Sequence, residues 1–144
     1  DESYWMRLYS IKMYSQQRRM ERYRIIYVWK ILENYAPNCG IELAQLNERL
    51  GRKCKIPSIR PNTRTAIQTL RENSFQINGA RLFNCLPKHV RTIQFNQEDF
   101  KEALDKYLSE VPDEPRIGSL LPTAIDQLTG KQSNSLLAWA TTYP

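Results

Sequence analysis

The chain is poor in the residues from which catalytic and metal sites are usually built. Its 144 residues include one histidine, three cysteines and five isolated glycines. No Cys-x-x-Cys pair occurs, and Cys85 with His89 makes at most half of a zinc site, so we expect no metal and no cofactor. Sparse cysteines in an odd number argue against a disulfide scaffold and favour a reducing, intracellular compartment. With no glycine-rich phosphate loop and no activated nucleophile, the sequence predicts that the chain is not an enzyme.

Long apolar runs are also missing. No run approaches the roughly 18 residues that a membrane-spanning helix needs, so we expect no membrane contact. Residues 1–10 are acidic and then mixed, which is not the pattern of a signal peptide. The first residue is aspartate rather than methionine, and we therefore expect a piece of a longer protein.

Apolar residues recur at helical spacing through much of the chain. Residues 15–35 are basic at first and then apolar on two sides, which predicts a helix at the centre of the core. Residues 96–108 have an asparagine N-cap, acids in the first turn and one apolar stripe, which predicts a second helix. Weaker helical patterns cover residues 4–13, 41–50 and 80–86. These patterns predict a mainly α fold.

The β signal lies in residues 52–77. Residues 52–59 alternate basic and apolar side chains, residues 63–72 fit a strand or a helix, and residues 74–77 alternate before the turn signal Asn78-Gly79. We therefore expect a minor antiparallel β element beside the helices. The predicted organisation is a helical domain over residues 1–110 and an irregular, proline-containing tail over 111–144, partly ordered or mobile. Short helices are expected at 124–128 and 135–140, the second anchored by Leu136, Leu137 and Trp139.

Positive charge is concentrated in two places. The formal net charge is +6, and residues 49–71, called here the basic band, contain seven cations and no acid. Arg18, Arg19 and Arg22 begin the predicted central helix, where cations oppose the macrodipole, so an anionic partner is expected there. Residues 98–114, in contrast, carry seven acids, which we interpret as a solvated face. The candidate phosphate contacts are Arg18, Arg19, Arg22, Arg49, Arg52, Lys53, Lys55, Arg60 and Arg64.

Two functions fit this charge pattern. The first is binding of RNA or DNA through the phosphate backbone, with base stacking on Tyr23, Tyr27 or Phe75 if their rings are exposed. The second is a structural or protein–protein interaction module, in which the basic band meets an acidic partner or residues 98–114 of another copy. The alternative to both functions is a cationic surface that aids solubility and has no specific partner.

Several short segments form a recognisable set: QRR at 17–19, YRII at 23–26, WKILE at 29–33, SF at 74–75, LFNCLP at 82–87, and DFK at 99–101 with LD at 104–105. Together they resemble a region near the C-terminus of one known family, the reverse transcriptases of non-LTR (LINE-type) retrotransposons. The family usually has tryptophan where Phe83 stands, and we expect Phe83 to keep that aromatic core role.

The resemblance implies a segment that follows the polymerase domain of a longer polyprotein. Its parent would be an RNA-directed DNA polymerase acting in the nucleus or cytoplasm. This chain has no adjacent Asp-Asp pair, and polymerisation needs aspartates that hold two metal ions. The resemblance therefore implies a non-catalytic segment that binds template RNA or target DNA, with the rest of the polyprotein as a further partner.

Overall fold

The structure, a computed structural model, describes residues 3–44, 51–58, 60, 64–113 and 135–137. Within these ranges the chain forms six complete helices and no strand, and residues 136–137 are also helical. The helices are α1 (Tyr4–Ser10), α2 (Gln16–Leu32), α3 (Thr65–Glu72), α4 (Phe75–Asn84), α5 (Lys88–Arg91) and α6 (Gln97–Glu110). The prediction of a mainly α fold is confirmed. None of the described helices is both long and apolar enough to span a membrane.

Helix α2 lies at the centre of the core. Its first turn is capped by Ser15, whose Oγ accepts a hydrogen bond from the Arg18 amide at 3.1 Å. In its second half Ile25, Val28 and Trp29 are fully buried, and each side chain of this kind stabilises the fold by about 1.5–3 kcal/mol. The helix therefore corresponds closely to the one predicted over residues 15–35.

An aromatic stack joins α2 to α6 and α4. The Trp29 and Phe100 rings are stacked with centroids 5.2 Å apart, and Phe83 lies 6.5 Å from Phe100. Trp29 also donates a hydrogen bond from Nε1 to the Ile93 carbonyl oxygen at 2.8 Å. Phe83 is fully buried, which confirms its expected role in the core.

Helix α4 replaces the strand and turn predicted over residues 74–79. Ile77, Gly79 and Ala80 are buried within α4, which packs on α2. A Cβ atom at Gly79 would lie only 3.1 Å from the Val28 Cγ2 atom. The glycine therefore allows the two helices to approach closely, and this packing overrides the turn tendency of Asn78-Gly79.

Residues 65–72, which fitted a strand or a helix, form α3, and the strand expected over residues 74–77 is wrong because residues 75–77 begin α4. The alternating residues 52–58 form no described strand and only one isolated antiparallel bridge, between Leu43 and Cys54. Cys54 is held instead by a side chain, because its amide donates to the Asn84 Oδ1 at 2.7 Å and its carbonyl accepts from the Asn84 Nδ2 at 2.9 Å. An asparagine at the end of α4 thus satisfies backbone groups that a partner strand would otherwise bind.

Helix α6 confirms the helix predicted over residues 96–108. The Asn96 side chain caps it by accepting hydrogen bonds from the amides of Glu98 and Asp99, and Phe100, Leu104 and Leu108 are buried.

The described residues of the predicted tail pack on the core. Val111 and Leu136 are buried, so the expected anchoring role of Leu136 is confirmed. Trp139 and residues 45–50 and 124–128 lie outside the described residues.

Candidate nucleic-acid interface

Arg18 lies in the interior, although the sequence predicted it on a cationic surface. Its side chain is 1% exposed, and its Nε atom lies 3.9 Å from the Glu21 Oε1 and 3.7 Å from the Asp113 Oδ1. Its Nη2 donates to the Pro112 carbonyl oxygen at 3.2 Å. The anionic partner expected at the start of α2 is therefore, for Arg18, a pair of carboxylates in the same chain.

The buried charges around Arg18 form a wider network. The Asp113 carboxylate accepts hydrogen bonds from the Ser15 amide and hydroxyl at 2.5 and 2.6 Å. Glu21 accepts hydrogen bonds from the Ser135 hydroxyl at 2.8 Å and from the Leu136 amide at 3.1 Å. Burial raises the pKa of Glu21, against the opposing effect of these hydrogen bonds. We call Ser15, Arg18, Glu21, Asp113 and Ser135 the polar cluster.

Arg22 is also paired, at the surface between α2 and α6. Its Nε and Nη2 atoms donate to the two Asp105 carboxylate oxygens at 2.7 and 3.1 Å. Tyr14 donates its hydroxyl proton to the same carboxylate at 3.1 Å. The hydrogen bond to Asp105 raises the pKa of Arg22, and burial, followed by the charge of Asp105, raises the pKa of Tyr14 to about 12.

Arg52 is the third predicted phosphate contact with an internal partner. Its Nη1 atom lies 2.6 Å from the Glu33 Oε1, and both side chains are nearly covered. The pair fastens the start of residues 51–58 to the C-terminal end of α2. Arg52 therefore has a structural role, because its guanidinium group is already paired with the Glu33 carboxylate.

The remaining predicted contacts divide by exposure. Lys53 is half-buried, and Arg49 lies outside the described residues. The exposed members of the predicted set are Arg19, Lys55, Arg60 and Arg64. Within the described ranges none of these four has a carboxylate oxygen within 4.0 Å. They are the predicted cations that the fold presents to solvent.

An open groove lies between α2 and α6, and no pattern in the sequence indicated it. Its volume is about 110 Å³. It is lined by Arg22, Tyr23, Ile26, Tyr27, Lys30 and Lys101. The two lysines were missed because one lies in the apolar half of α2 and the other on the acidic stretch. Helical spacing places residues 23, 27 and 30 on one side of α2, but only the tertiary fold brings Lys101 to them.

The three aromatic residues suggested for base stacking differ in exposure. The Tyr23 side chain is 78% exposed. Tyr27 and Phe75 are half-buried and pack edge to face, with centroids 5.4 Å apart and an interplanar angle of 79°. Tyr23 therefore offers an open ring face, whereas Tyr27 is held in place by Phe75.

The cysteines and the histidine form no site in the part of the chain described. Burial raises the pKa of both Cys54 and Cys85 to about 11, so both remain protonated thiols at neutral pH. His89 is exposed on α5. No group of three or more histidine, cysteine or acidic side chains in the described ranges is arranged to hold a metal ion.

Comparison of the chain with protein-family models, curated proteins and solved structures finds no match. The relationship to non-LTR reverse transcriptases stays a prediction from the sequence motifs.

Proposed function

We propose that this chain is a non-catalytic nucleic-acid-binding segment of a non-LTR retrotransposon reverse transcriptase, contacting template RNA or target DNA. The observation that carries the proposal is the exposure of Lys55, Arg60 and Arg64 in the basic band, with no described carboxylate close enough to neutralise them. Arg71, at the C-terminal end of α3, is exposed in the same band. Free cations of this kind bind phosphates by releasing condensed counterions, without reading base sequence.

The internal ion pairs reduce the number of residues that can belong to the proposed interface. Arg18, Arg22 and Arg52 serve the fold, and the proposal therefore assigns phosphate contact mainly to the exposed members of the basic band and to Arg19. The proposed partners in the cell are RNA or DNA and the remainder of the polyprotein. The proposed location is the nucleus or the cytoplasm.

A second function is favoured by a different observation. Helices α1 and α3 bury no residue, and they expose large apolar side chains, among them Tyr9 at 88% and Leu70 at 72%. Exposed apolar surface of this kind is typical of protein–protein contact. The alternative is therefore an interaction module that packs against another protein or another part of the polyprotein.

Two matched double variants separate these functions. Lys55→Gln/Arg64→Gln removes two exposed cations of the basic band, and Lys12→Gln/Lys106→Gln removes two exposed cations elsewhere. We expect the first variant to lose affinity for labelled single-stranded RNA on the order of tenfold at 0.1 M salt, because two phosphate contacts disappear. The control should lose much less, and thermal unfolding of both should match the unchanged protein.

Fluorescence anisotropy titrations measure these affinities. An equal loss in the two variants means that binding depends only on net charge. No binding by the unchanged protein at low salt contradicts the proposal, and concentration-dependent self-association in the same samples then supports the interaction module.

A further inference from the structure

The groove between α2 and α6 combines one open aromatic face with two lysines. Tyr23 and Lys30 come from α2, and Lys101 comes from α6. A volume of about 110 Å³ is well below the roughly 300–1,000 Å³ of pockets that enclose a small-molecule ligand. The groove is therefore suited to one ring of a longer molecule that continues across the surface.

The aromatic side of the groove is built for stacking. Tyr23 is largely exposed although it is an aromatic residue on the helix that forms the core, and the buried Ile26 lies beside it in the groove wall. Tyr27 is fixed by its edge-to-face contact with Phe75. Stacking of a base on such a ring strengthens single-strand binding by about 5- to 150-fold per base.

The charged side of the groove is net positive. Lys30 and Lys101 form no ion pair with any described residue, whereas Arg22 is neutralised by Asp105 on α6. The lining holds three cations and no acid, and because Arg22 is paired with Asp105, Lys30 and Lys101 remain for phosphate. Tyr23 and Lys30 are seven residues apart, about 10 Å along the axis of α2. A strand crossing α2 can therefore stack a base on Tyr23 and place its neighbouring phosphates beside the lysines.

From this arrangement we infer that the groove binds a single-stranded segment of nucleic acid, with a base on Tyr23 and phosphates on Lys30 and Lys101. The inference rests on the proposed function and adds a strand preference to it. A duplex hides its base faces within the helical stack, so it can meet the lysines but not the Tyr23 ring.

The test compares the affinities of the full chain for an oligouridine of about 12 nucleotides, within the usual single-strand site size, and for a duplex of equal length. Tyr23→Ala should weaken oligouridine binding by about 5-fold or more and leave duplex binding within twofold. Tyr23→Phe keeps the ring and should bind like the unchanged protein. Lys30→Gln/Lys101→Gln should reduce the salt dependence of oligouridine binding by about 1.4 in log–log slope, at about 0.7 per lost contact.

The outcomes separate this inference from the proposed function. If Lys55→Gln/Arg64→Gln weakens binding but Tyr23→Ala does not, the groove assignment fails and the proposed function stands. If the unchanged protein binds neither nucleic acid at low salt, the proposed function itself fails. Poly-glutamate of equal charge should compete poorly with oligouridine. Equal competition would show that the groove recognises charge alone, which would fit an acidic protein partner and would overturn the stacking assignment.

Discussion

Replacing Asp113 with alanine tests whether the polar cluster holds the chain after α6 against α2. The Asp113 carboxylate accepts two hydrogen bonds from Ser15 and lies 3.7 Å from the buried Arg18 Nε. Hydrogen bonds to a charged group contribute about 1.5–3 kcal/mol each. Removing one partner of a buried ion pair costs about 3–5 kcal/mol. The two effects share one carboxylate, so they do not add.

The Asp113 side chain is 21% exposed, and water screens part of its interaction with Arg18. We therefore expect Asp113→Ala to lower the free energy of unfolding by about 2–4 kcal/mol. For a chain of this size the loss corresponds to a melting temperature lower by roughly 6–12 °C. Urea unfolding followed by circular dichroism measures the first quantity, and a thermal scan measures the second.

Two controls make the result specific. Asp113→Asn keeps an acceptor for Ser15 but loses the charge, so it should lose about half as much stability. Glu110→Ala removes an exposed acid at the C-terminal end of α6, three residues before Asp113, and should change stability by less than about 0.5 kcal/mol. If Asp113→Ala costs no more than Glu110→Ala, the polar cluster does not hold Arg18 as described.

Two further predictions concern the core. Burial raises the pKa of the Glu21 carboxyl in the folded protein above its ordinary value of 4.5. The stability that Glu21 contributes is therefore complete at a pH below its pKa in the unfolded chain, and it is lost as the pH rises through its pKa in the folded protein. The unfolding free energy of Glu21→Gln minus that of the unchanged protein should therefore increase from about pH 4 to pH 7; a flat difference in urea titrations contradicts the raised pKa. Gly79→Ala should destabilise the protein despite a helix-propensity gain of about 1 kcal/mol, because the new methyl group would lie 3.1 Å from the Val28 Cγ2 atom and 3.3 Å from the Phe75 Cε2 atom. In a Val28→Ala background, where the Phe75 contact remains, the same change should cost less stability; an equal cost in both backgrounds would rule out Val28 as an obstacle.

The helices predicted best from sequence are those with clear local signals. Helix α6 has its cap at Asn96 and one apolar stripe, and α2 begins after the serine cap at Ser15. Both signals act within a few residues, so they can be recognised without knowledge of the fold. The start of α4 was predicted incorrectly because its helical state depends on packing against α2, which the pattern at residues 74–79 does not contain.

The site was harder to predict because its electrostatics are set by contacts far apart in sequence. Arg22 and Asp105 are 83 residues apart, and Arg52 is joined to Glu33 only after the chain has turned. The basic start of α2 and the acidic stretch at 98–114 are both visible in the sequence, but that stretch was expected to face solvent or to pair with another copy. The structure brings Asp105 and Asp113 to α2 of the same chain.

The most direct test of the central claim is the salt dependence of single-stranded RNA binding by the unchanged protein and by Lys55→Gln/Arg64→Gln. If these two cations contact phosphates, the slope of log affinity against log salt concentration should become shallower by about 1.4 in the variant. It should change little in Lys12→Gln/Lys106→Gln. Equal slopes in the unchanged protein and the basic-band variant would contradict the assignment of phosphate binding to the exposed cations of the basic band.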